Sequence, residues 1–449
     1  MEQLYEIYLQ HPVITTDNRQ VEPGALFFAL KGSTFDGNRF AASALEAGCS
    51  YAIVDEAAYA VQGDSRYILV DDVLSTLQQL AAWHRRQLSI PVLQITGTNG
   101  KTTTKELVSA VLSRRFRTLF TQGNLNNHIG VPLTLLRIRP EHEMAVVETG
   151  ANHPGEIAFL CRIVEADFGL ITNVGRAHLE GFGSFDGVKR TKGELYDDLA
   201  LRHKTIFLNA FDDDLRQMAE ERGACLMGGA SSLQVVPYVE GRVEDCSSLL
   251  VIQWRENDHS PWHRVQTHLV GAYNVANLRA AITVGLHFGV PAADIDEALA
   301  SYVPTNSRSE FRDTGRNRLI VDAYNANPSS MQAALTNFGM MDVPRKMVIL
   351  GDMRELGADS LSEHCRLIRQ LAADGLKKVW LVGGEFQRAL DEVSVGQTDS
   401  SLAEADTEWR CFADVVEVKA ALEEMPLRDY TILIKGSNGT KLYQLPEML

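Results

Sequence analysis

The spacing of apolar positions changes along this chain, and the changes mark its units. Over residues 1–88 the apolar runs are short. Residues 25–30, 51–54 and 67–70 read as strands and 39–47 and 73–88 as helices, which makes a small α/β unit. From residue 90 a mostly apolar run reaches Ile95, breaks at two glycines, and resumes over 106–112 at helical spacing. Buried strands come next at 144–147 and 168–174, then a helix over 184–196. The stretch 210–266, richer in short strands and polar residues, predicts least. At Gly271 the pattern turns into an Ala-rich helix. Beyond residue 302, four apolar strands, 318–322, 347–351, 379–382 and 431–435, alternate with helical stretches, the signature of a doubly wound parallel sheet.

Length and composition limit the classes. A chain of 449 residues has room for about three domains, each with its own core. Hydrophobic content of 45% and charged content of 22% are those of a globular protein. The net charge of -15 argues against non-specific nucleic-acid binding, while glycine loops and local basic side chains can still hold anions. The six cysteines show no C-x-x-C spacing, so neither a zinc site nor a disulfide framework is expected, and reduced thiols in a cytoplasmic protein fit best. The first residues carry neither the basic flank nor the apolar block of a signal peptide, and no apolar run approaches about 18 residues, so stable membrane insertion is not expected.

Chemistry concentrates at the break after Ile95. Strand, Gly97-Thr98-Asn99-Gly100-Lys101-Thr102-Thr103, then helix is the order of a phosphate loop. Backbone N–H groups and the helix N-terminus would hold an oligophosphate, Lys101 would reach its outer phosphates, and the Thr102 hydroxyl could meet Mg2+. The usual eight-residue pattern fails, because its first glycine would fall at Ile95; the loop is a shorter variant. Glu148, closing the 144–147 strand, and His178, just past the 168–174 strand, are metal-capable groups at carboxyl ends of strands beside that loop. Asn126, Asn127 and His128 are too polar for a core and suit either a surface loop or a binding site. Lys189, Arg190 and Lys192 read as a solvated helix face or as phosphate contacts. Asn274 and Asn277 share one helix face, either to read a base or ribose edge or to cap the helix. In the first unit, Thr16, Asp17 and Arg19, and Asp36 and Gly37, lie in turn-rich clusters that are either solvated loops or grips for an anionic, sugar-bearing ligand. The rim carrying Asp322, Tyr324 and Asn325 suggests a jaw closing over the nucleotide. The expected fold is therefore α/β with three domains: a small α/β domain over 1–88, a central phosphate-loop ATPase-like domain over 89–301, and a C-terminal Rossmann-like doubly wound sheet over 302–449.

With these residues in view the chain resembles the Mur ligase family from end to end. The resemblance rests on the short loop through Thr104, on Asn124-Leu125-Asn126-Asn127-His128-Ile129-Gly130, on Asp322-Ala323-Tyr324-Asn325-Ala326-Asn327-Pro328, on Gly351-Asp352-Met353-Arg354-Glu355, and on the clusters around Asp17 and Asp36. It implies an ATP-dependent amide ligase of peptidoglycan precursor synthesis, nearest to members that join D-alanyl-D-alanine to UDP-N-acetylmuramoyl-tripeptide through an acyl phosphate. It further implies that Lys101 and Thr102 hold the ATP phosphates and a Mg2+, that Thr102, Glu148, His178 and a carbamylated Lys192 serve two Mg2+ ions, and that Asn274, Arg308 and Asp322 engage the nucleotide. The first domain would hold the uridine diphosphate, Asn126, Asn127, His128, Tyr324 and Asn325 would face substrate, and a cytoplasmic monomer is expected. A sister ligase of the Mur or folyl-polyglutamate type, and a phosphate-loop binding protein without ligase chemistry, are the alternatives.

Overall fold

The computed structural model describes residues 1–225, 233–305, 307–395 and 407–449. At the N-terminus α1 (Glu2–Gln10) precedes a four-stranded parallel sheet of β1 (Ile14–Thr15), β2 (Leu26–Phe28), β3 (Tyr51–Val54) and β4 (Tyr67–Leu69), in that spatial order. Alternation along these strands sends Phe27, Ala52 and Val54 toward α2 (Ala41–Glu46) and Leu26, Phe28 and Ile53 to the opposite face. The helix expected at 39–47 opens as a 3-10 turn, Gly37–Phe40, which Asp36 caps by accepting from Asn38 N. That second face is closed by α1 and α3 (Val73–Gln87), and its core runs on into the central domain through Leu77, Leu80, Leu135 and Leu160. Buried Arg85 bolts α3 down by donating to Val164 O at 3.0 Å and to Asp167 at 2.8 Å. The turn after residue 88 separates the chain locally, but α3 packs on both sides of it.

The central sheet is parallel, in the order β10-β9-β8-β5-β7-β6. Along the chain it comprises β5 (Val92–Thr96), α4 (Lys101–Leu112), β6 (Thr118–Phe120), α5 (Gly130–Leu135), β7 (Met144–Glu148), α6 (Glu156–Val164), β8 (Phe168–Ile171), α7 (Leu179–Phe182), α8 (Phe185–Leu201), β9 (Thr205–Leu208), α9 (Asp213–Glu220) and β10 (Gln234–Pro237). β5 lies between β7 and β8, so the turn after it opens at the middle of the carboxyl edge, flanked by the loops that leave those two strands. Ile95 pairs in register with Glu148 and Leu170 and is fully buried. Ile95 thus belongs to the strand, and the loop begins after Thr96. The stretch from 210 is not all strand: α9 buries Leu215, Met218 and Ala219 on one face and is capped by Asp212. The antiparallel strands β11 (Glu240–Asp245), β12 (Val251–Arg255) and β13 (His263–Gln266) then pack Ile252, Trp254 and Val265 into a core shared with α4, α10 (Val275–His287) and α11 (Ala292–Ser301).

The last sheet has the order β14-β15-β19-β16-β17-β18. Its members are β14 (Glu310–Asp313), β15 (Arg318–Asp322), α12 (Pro328–Met340), β16 (Lys346–Gly351), α13 (Ser360–Ala373), β17 (Lys378–Val382), α14 (Gly384–Val395), β18 (Glu408–Phe412), α15 (Val415–Glu424) and β19 (Thr431–Lys435). The four expected strands form its parallel centre. Both edges were hidden in sequence, because β14 is antiparallel and polar and β18 alternates rather than running apolar. Among the described residues no helix is long and apolar enough to cross a membrane.

Candidate active site

The carboxyl edges of the two parallel sheets face each other across a cleft of about 970 Å³. On the central side, Gly97 and Gly100 have φ of 142° and 77°. A Cβ at Gly97 would run into Thr172 and one at Gly100 into Asn277, so only glycine permits this course. Asn173, just past β8, braces the loop from outside: its carbonyl accepts from Thr98 N at 3.0 Å and its side chain from Asn99 N at 3.0 Å. No side chain caps α4, so its N-terminal N–H groups face the cleft. That is an anion site made of backbone.

Lys101 curls back, donating to Gly97 O at 2.8 Å and Thr98 O at 3.0 Å. Burial lowers its pKa to about 8, with Glu148 opposing and Arg308 adding to the shift. The ordinary value is 10.5, so between those limits the folded protein holds less proton than the unfolded chain, and native stability from this group rises with pH across that window. A bound oligophosphate would reverse the shift. Nucleotide binding near pH 8.5 is therefore expected to take up a proton that is absent near pH 6.5 and absent in Lys101→Met, read by calorimetry in buffers of different ionisation enthalpy; equal uptake in the variant would refute it.

Glu148, 1% exposed, accepts through Oε1 from Thr102 Oγ1 at 3.2 Å and from Asn126 Nδ2 at 2.8 Å. Its Oε2 is buried without a hydrogen-bond partner. An ionised carboxylate oxygen beside a hydroxyl, with no donor, suits a hard divalent cation. Glu148 closes β7 and starts no helix. Asn126 holds that carboxylate, and Asn127 Oδ1 caps α5 by accepting from Ile129 N and Gly130 N. His128 lines the cleft, and its carbonyl accepts from Gln78 of α3.

Lys192 departs from the solvated face that composition suggested. The period of α8 turns it inward while Lys189, nearly a turn earlier, reaches Asp214 at 2.5 Å. Lys192 is 2% exposed, lies over the Phe182 ring, and donates only a long 3.4 Å bond to Ala151 O. Burial first, then the charge of Lys101, hold its pKa well below the usual value. It sits just behind the cleft wall that Ala151 lines. His178 lies on the rim in a left-handed conformation, edge-on to Phe182 and paired with Glu355 from the facing domain. Among the described residues no three His, Cys, Asp or Glu side chains form a metal-holding group.

The C-terminal rim contributes opposed charges. Asp322 ion-pairs with buried Lys435 at 2.5 Å, and Lys435 also donates to Asn325 O at 3.2 Å. β15 and β19 are neighbours with these residues in register, which sequence order could not reveal. Arg308 stacks 3.7 Å over Tyr324 and leaves Nε buried without a partner, whereas Arg312 is consumed by Glu310 and Glu447. Asn274 does not cap its helix: its amide donates to Val270 O and accepts from Asn277, both at 2.9 Å. Asn277 also accepts from Thr104, tying α10 to the phosphate loop's helix.

Family models of three Mur ligase parts match the chain: a Mur ligase family catalytic domain over 12–85, a Mur ligase middle domain over 95–285, and a Mur ligase glutamate ligase domain over 307–438. The UDP-N-acetylmuramoyl-tripeptide--D-alanyl-D-alanine ligase of Bacillus subtilis is 33% identical, covering 98% of this chain and 93% of its own. The enzyme of that name from Escherichia coli is also 33% identical, over 97% and 93%. The chain belongs to the Mur ligase family. Among solved structures, MurF from Acinetobacter baumannii superposes with a TM-score of 0.81 at 33% identity, covering 96% of this chain and 92% of that one. MurF ligase from Thermotoga maritima, solved in complex with ADP, shares the fold with a TM-score of 0.79 at 24% identity.

Within this Mur ligase, the predicted residues of the central and C-terminal domains converge on one cleft. Gly97 and Lys192 lie immediately behind its wall. The first-domain set stays apart: Asp17 pairs with Arg19 at 2.7 Å on the surface, Thr16 lies beside them, and Asp36 and Gly37 shape the 3-10 turn, none of them lining the cleft. Sequence reasoning missed Asn173 and Glu194. Glu194 accepts from Gly155 N and Ala158 N, both at 2.8 Å, and so anchors the loop whose Ala151 carbonyl meets Lys192. An acid two residues beyond Lys192 was the available signal.

Proposed function

We propose that this Mur ligase joins D-alanyl-D-alanine to UDP-N-acetylmuramoyl-tripeptide at the expense of ATP. The observation that carries the reading is the single cleft in which an uncapped phosphate-loop helix, the orphaned oxygen of Glu148 and the Arg308–Tyr324 and Asp322–Lys435 pairs face one another, in a chain 33% identical to ligases of that name. A carboxylate is a poor acyl donor. In the first step an oxygen of the tripeptide's terminal carboxylate attacks the γ-phosphorus of ATP, the bond to the bridging oxygen breaks, and ADP leaves. In the second the dipeptide amine attacks the acyl carbon, the C–N bond forms, the C–O bond to phosphate breaks, and the amine loses its proton to solvent or phosphate.

Lys101 and the α4 N–H groups offset charge on the transferring phosphoryl oxygens. Thr102, Glu148, His178 and a carbamylated Lys192 would hold Mg2+, which supplies charge neutralisation and orients oxygens when bound. Carbamylation requires a neutral amine, which the burial of Lys192 favours; the product would be an anion beside the wall that Ala151 lines. Asn274, Arg308 and Asp322 are read as nucleotide contacts. The first domain, with Thr16, Asp17, Arg19, Asp36 and Gly37 on its surface, is read as the holder of the UDP moiety. The parts 1–88, 89–301 and 302–449 are read as the three domains, and the chain is read as a monomer acting in the cytoplasm.

The test is product identity. With a panel of UDP-linked peptides, ADP release is expected only when both a tripeptide and D-alanyl-D-alanine are present, and mass spectrometry is expected to find the pentapeptide. Ligation of a single amino acid instead would assign the chain to a sister ligase; ADP release without amide product would remove the ligase reading.

A further inference from the structure

The C-terminal domain meets the central domain at its base, where Ala272 N donates to Asn337 Oδ1 and Tyr273 bonds Ser309, and again across the cleft. Ser329 Oγ accepts from Arg176 N at 2.9 Å, Glu363 reaches Arg176 at 3.5 Å, Asn327 donates to Asn99 Oδ1 at 2.8 Å, and Glu355 pairs with His178. The last pair has an unusual feature on both sides: Glu355 has φ of 63° and His178 has φ of 50°, so two non-glycine residues in left-handed backbone meet across the domain boundary. On the Glu355 side, the chain around it is pinned at every step. Asp352 accepts from Glu385 N and Phe386 N, Met353 N donates to His364 Nε2, Arg354 N donates to Ser437 Oγ, and Leu356 is buried. The anchored backbone throws one carboxylate out of the loop and onto the imidazole of the other domain. Such over-determined strain collects where a side chain has work to do.

We propose that Glu355 is a positioning residue that completes the cation site from the opposite domain. Its carboxylate pairs with His178 Nδ1, a buried nitrogen with no other partner, which favours the proton on Nδ1 and leaves the Nε2 lone pair to a divalent cation in the cleft. The contact exists only with the domains apposed, so closure and cation binding are coupled, and a cation bound early would favour the closed form. This inference rests on the reading of His178 as a cation ligand.

The test uses the full chain with ADP and Mn2+ as the probe. Mn2+ affinity is read by electron paramagnetic resonance, and the radius of gyration by solution scattering, in wild type, Glu355→Gln, Glu355→Asp, His178→Ala and the double variant Glu355→Gln/His178→Ala. Glu355→Gln is expected to weaken Mn2+ by about 10- to 100-fold. It should also enlarge the ADP- and Mn2+-loaded particle and leave the KM for ATP nearly unchanged while kcat falls. Glu355→Asp should recover part of the affinity, and the double variant should be no weaker than His178→Ala alone. If His178→Ala weakens Mn2+ and Glu355→Gln does not, or if the two losses add, the positioning role is overturned. If His178→Ala itself binds Mn2+ like wild type, the underlying reading of His178 fails instead.

Discussion

Lys101→Met abolishes most of the ligase turnover, with kcat falling by roughly 10³-fold or more, about 4 kcal/mol of transition-state stabilisation. The side chain begins α4 inside a short loop, and its ammonium donates to the Gly97 and Thr98 carbonyls. Those neutral acceptors are weaker partners than a phosphoryl group, so the ammonium turns outward when nucleotide arrives and tracks the charge that develops on the phosphoryl oxygens. Methionine keeps the stem and its packing. Because burial already disfavours the charge, its removal is expected to leave thermal stability unchanged or slightly raised, a readout that separates lost chemistry from lost folding. Turnover within tenfold of wild type, measured as ADP release at saturating substrates, would show that Lys101 does not serve the phosphoryl group.

The second large effect is expected at Lys192. Lys192→Ala should lower kcat by about 10²- to 10³-fold, and millimolar formate or acetate should restore part of it, because the substitution leaves a hole behind the Ala151 wall that a small carboxylate can enter. Lys192→Gln fills the hole with a neutral group and should be neither active nor rescued. The wild-type protein should carry the mass of one CO2 on Lys192 under native, bicarbonate-containing conditions. The sign with pH comes from the amine: burial and the charge of Lys101 hold its pKa well below the usual value, so its neutral form persists to lower pH than in a free lysine, and acidification protonates it and releases CO2, so activity restored by bicarbonate should fade on the acid side. Full activity of Lys192→Ala without added carboxylate would rule out the carbamate.

These two lysines differ in how visible they were. Lys101 stands in a local pattern of strand, glycine turn and helix, where spacing alone assigns its neighbours, and Glu148 at the end of an apolar run is of the same kind. Lys192 sits among Lys189 and Arg190 on a helix whose basic residues look alike, and only its packing against Phe182 sets it apart. The strands β3, β5, β7 and β15 were legible because a strand buried on both faces reads as a short continuous apolar run. The edges β14 and β18 were not, since an edge strand needs no apolar run. The end of α3 near residue 88 was legible, whereas the docking of α3 onto α5 and α6 through Arg85 and shared leucines was not.

By itself the sequence determined the central strands of the second and third units and the helix after the phosphate loop, that three units succeed one another, that a shortened phosphate loop begins α4, and which polar residues end the strands around it. Those are local properties, carried by period, glycine and charge. Only the tertiary structure decided that β15 lies beside β19 and so sets Asp322 on Lys435, that α8 turns Lys192 inward where burial lowers its pKa, and that a strained loop of the last domain lays Glu355 on His178. Each of these joins residues far apart in the chain. Which distant groups meet is settled by how the sheets and helices pack, and one chain's local pattern is compatible with many such pairings.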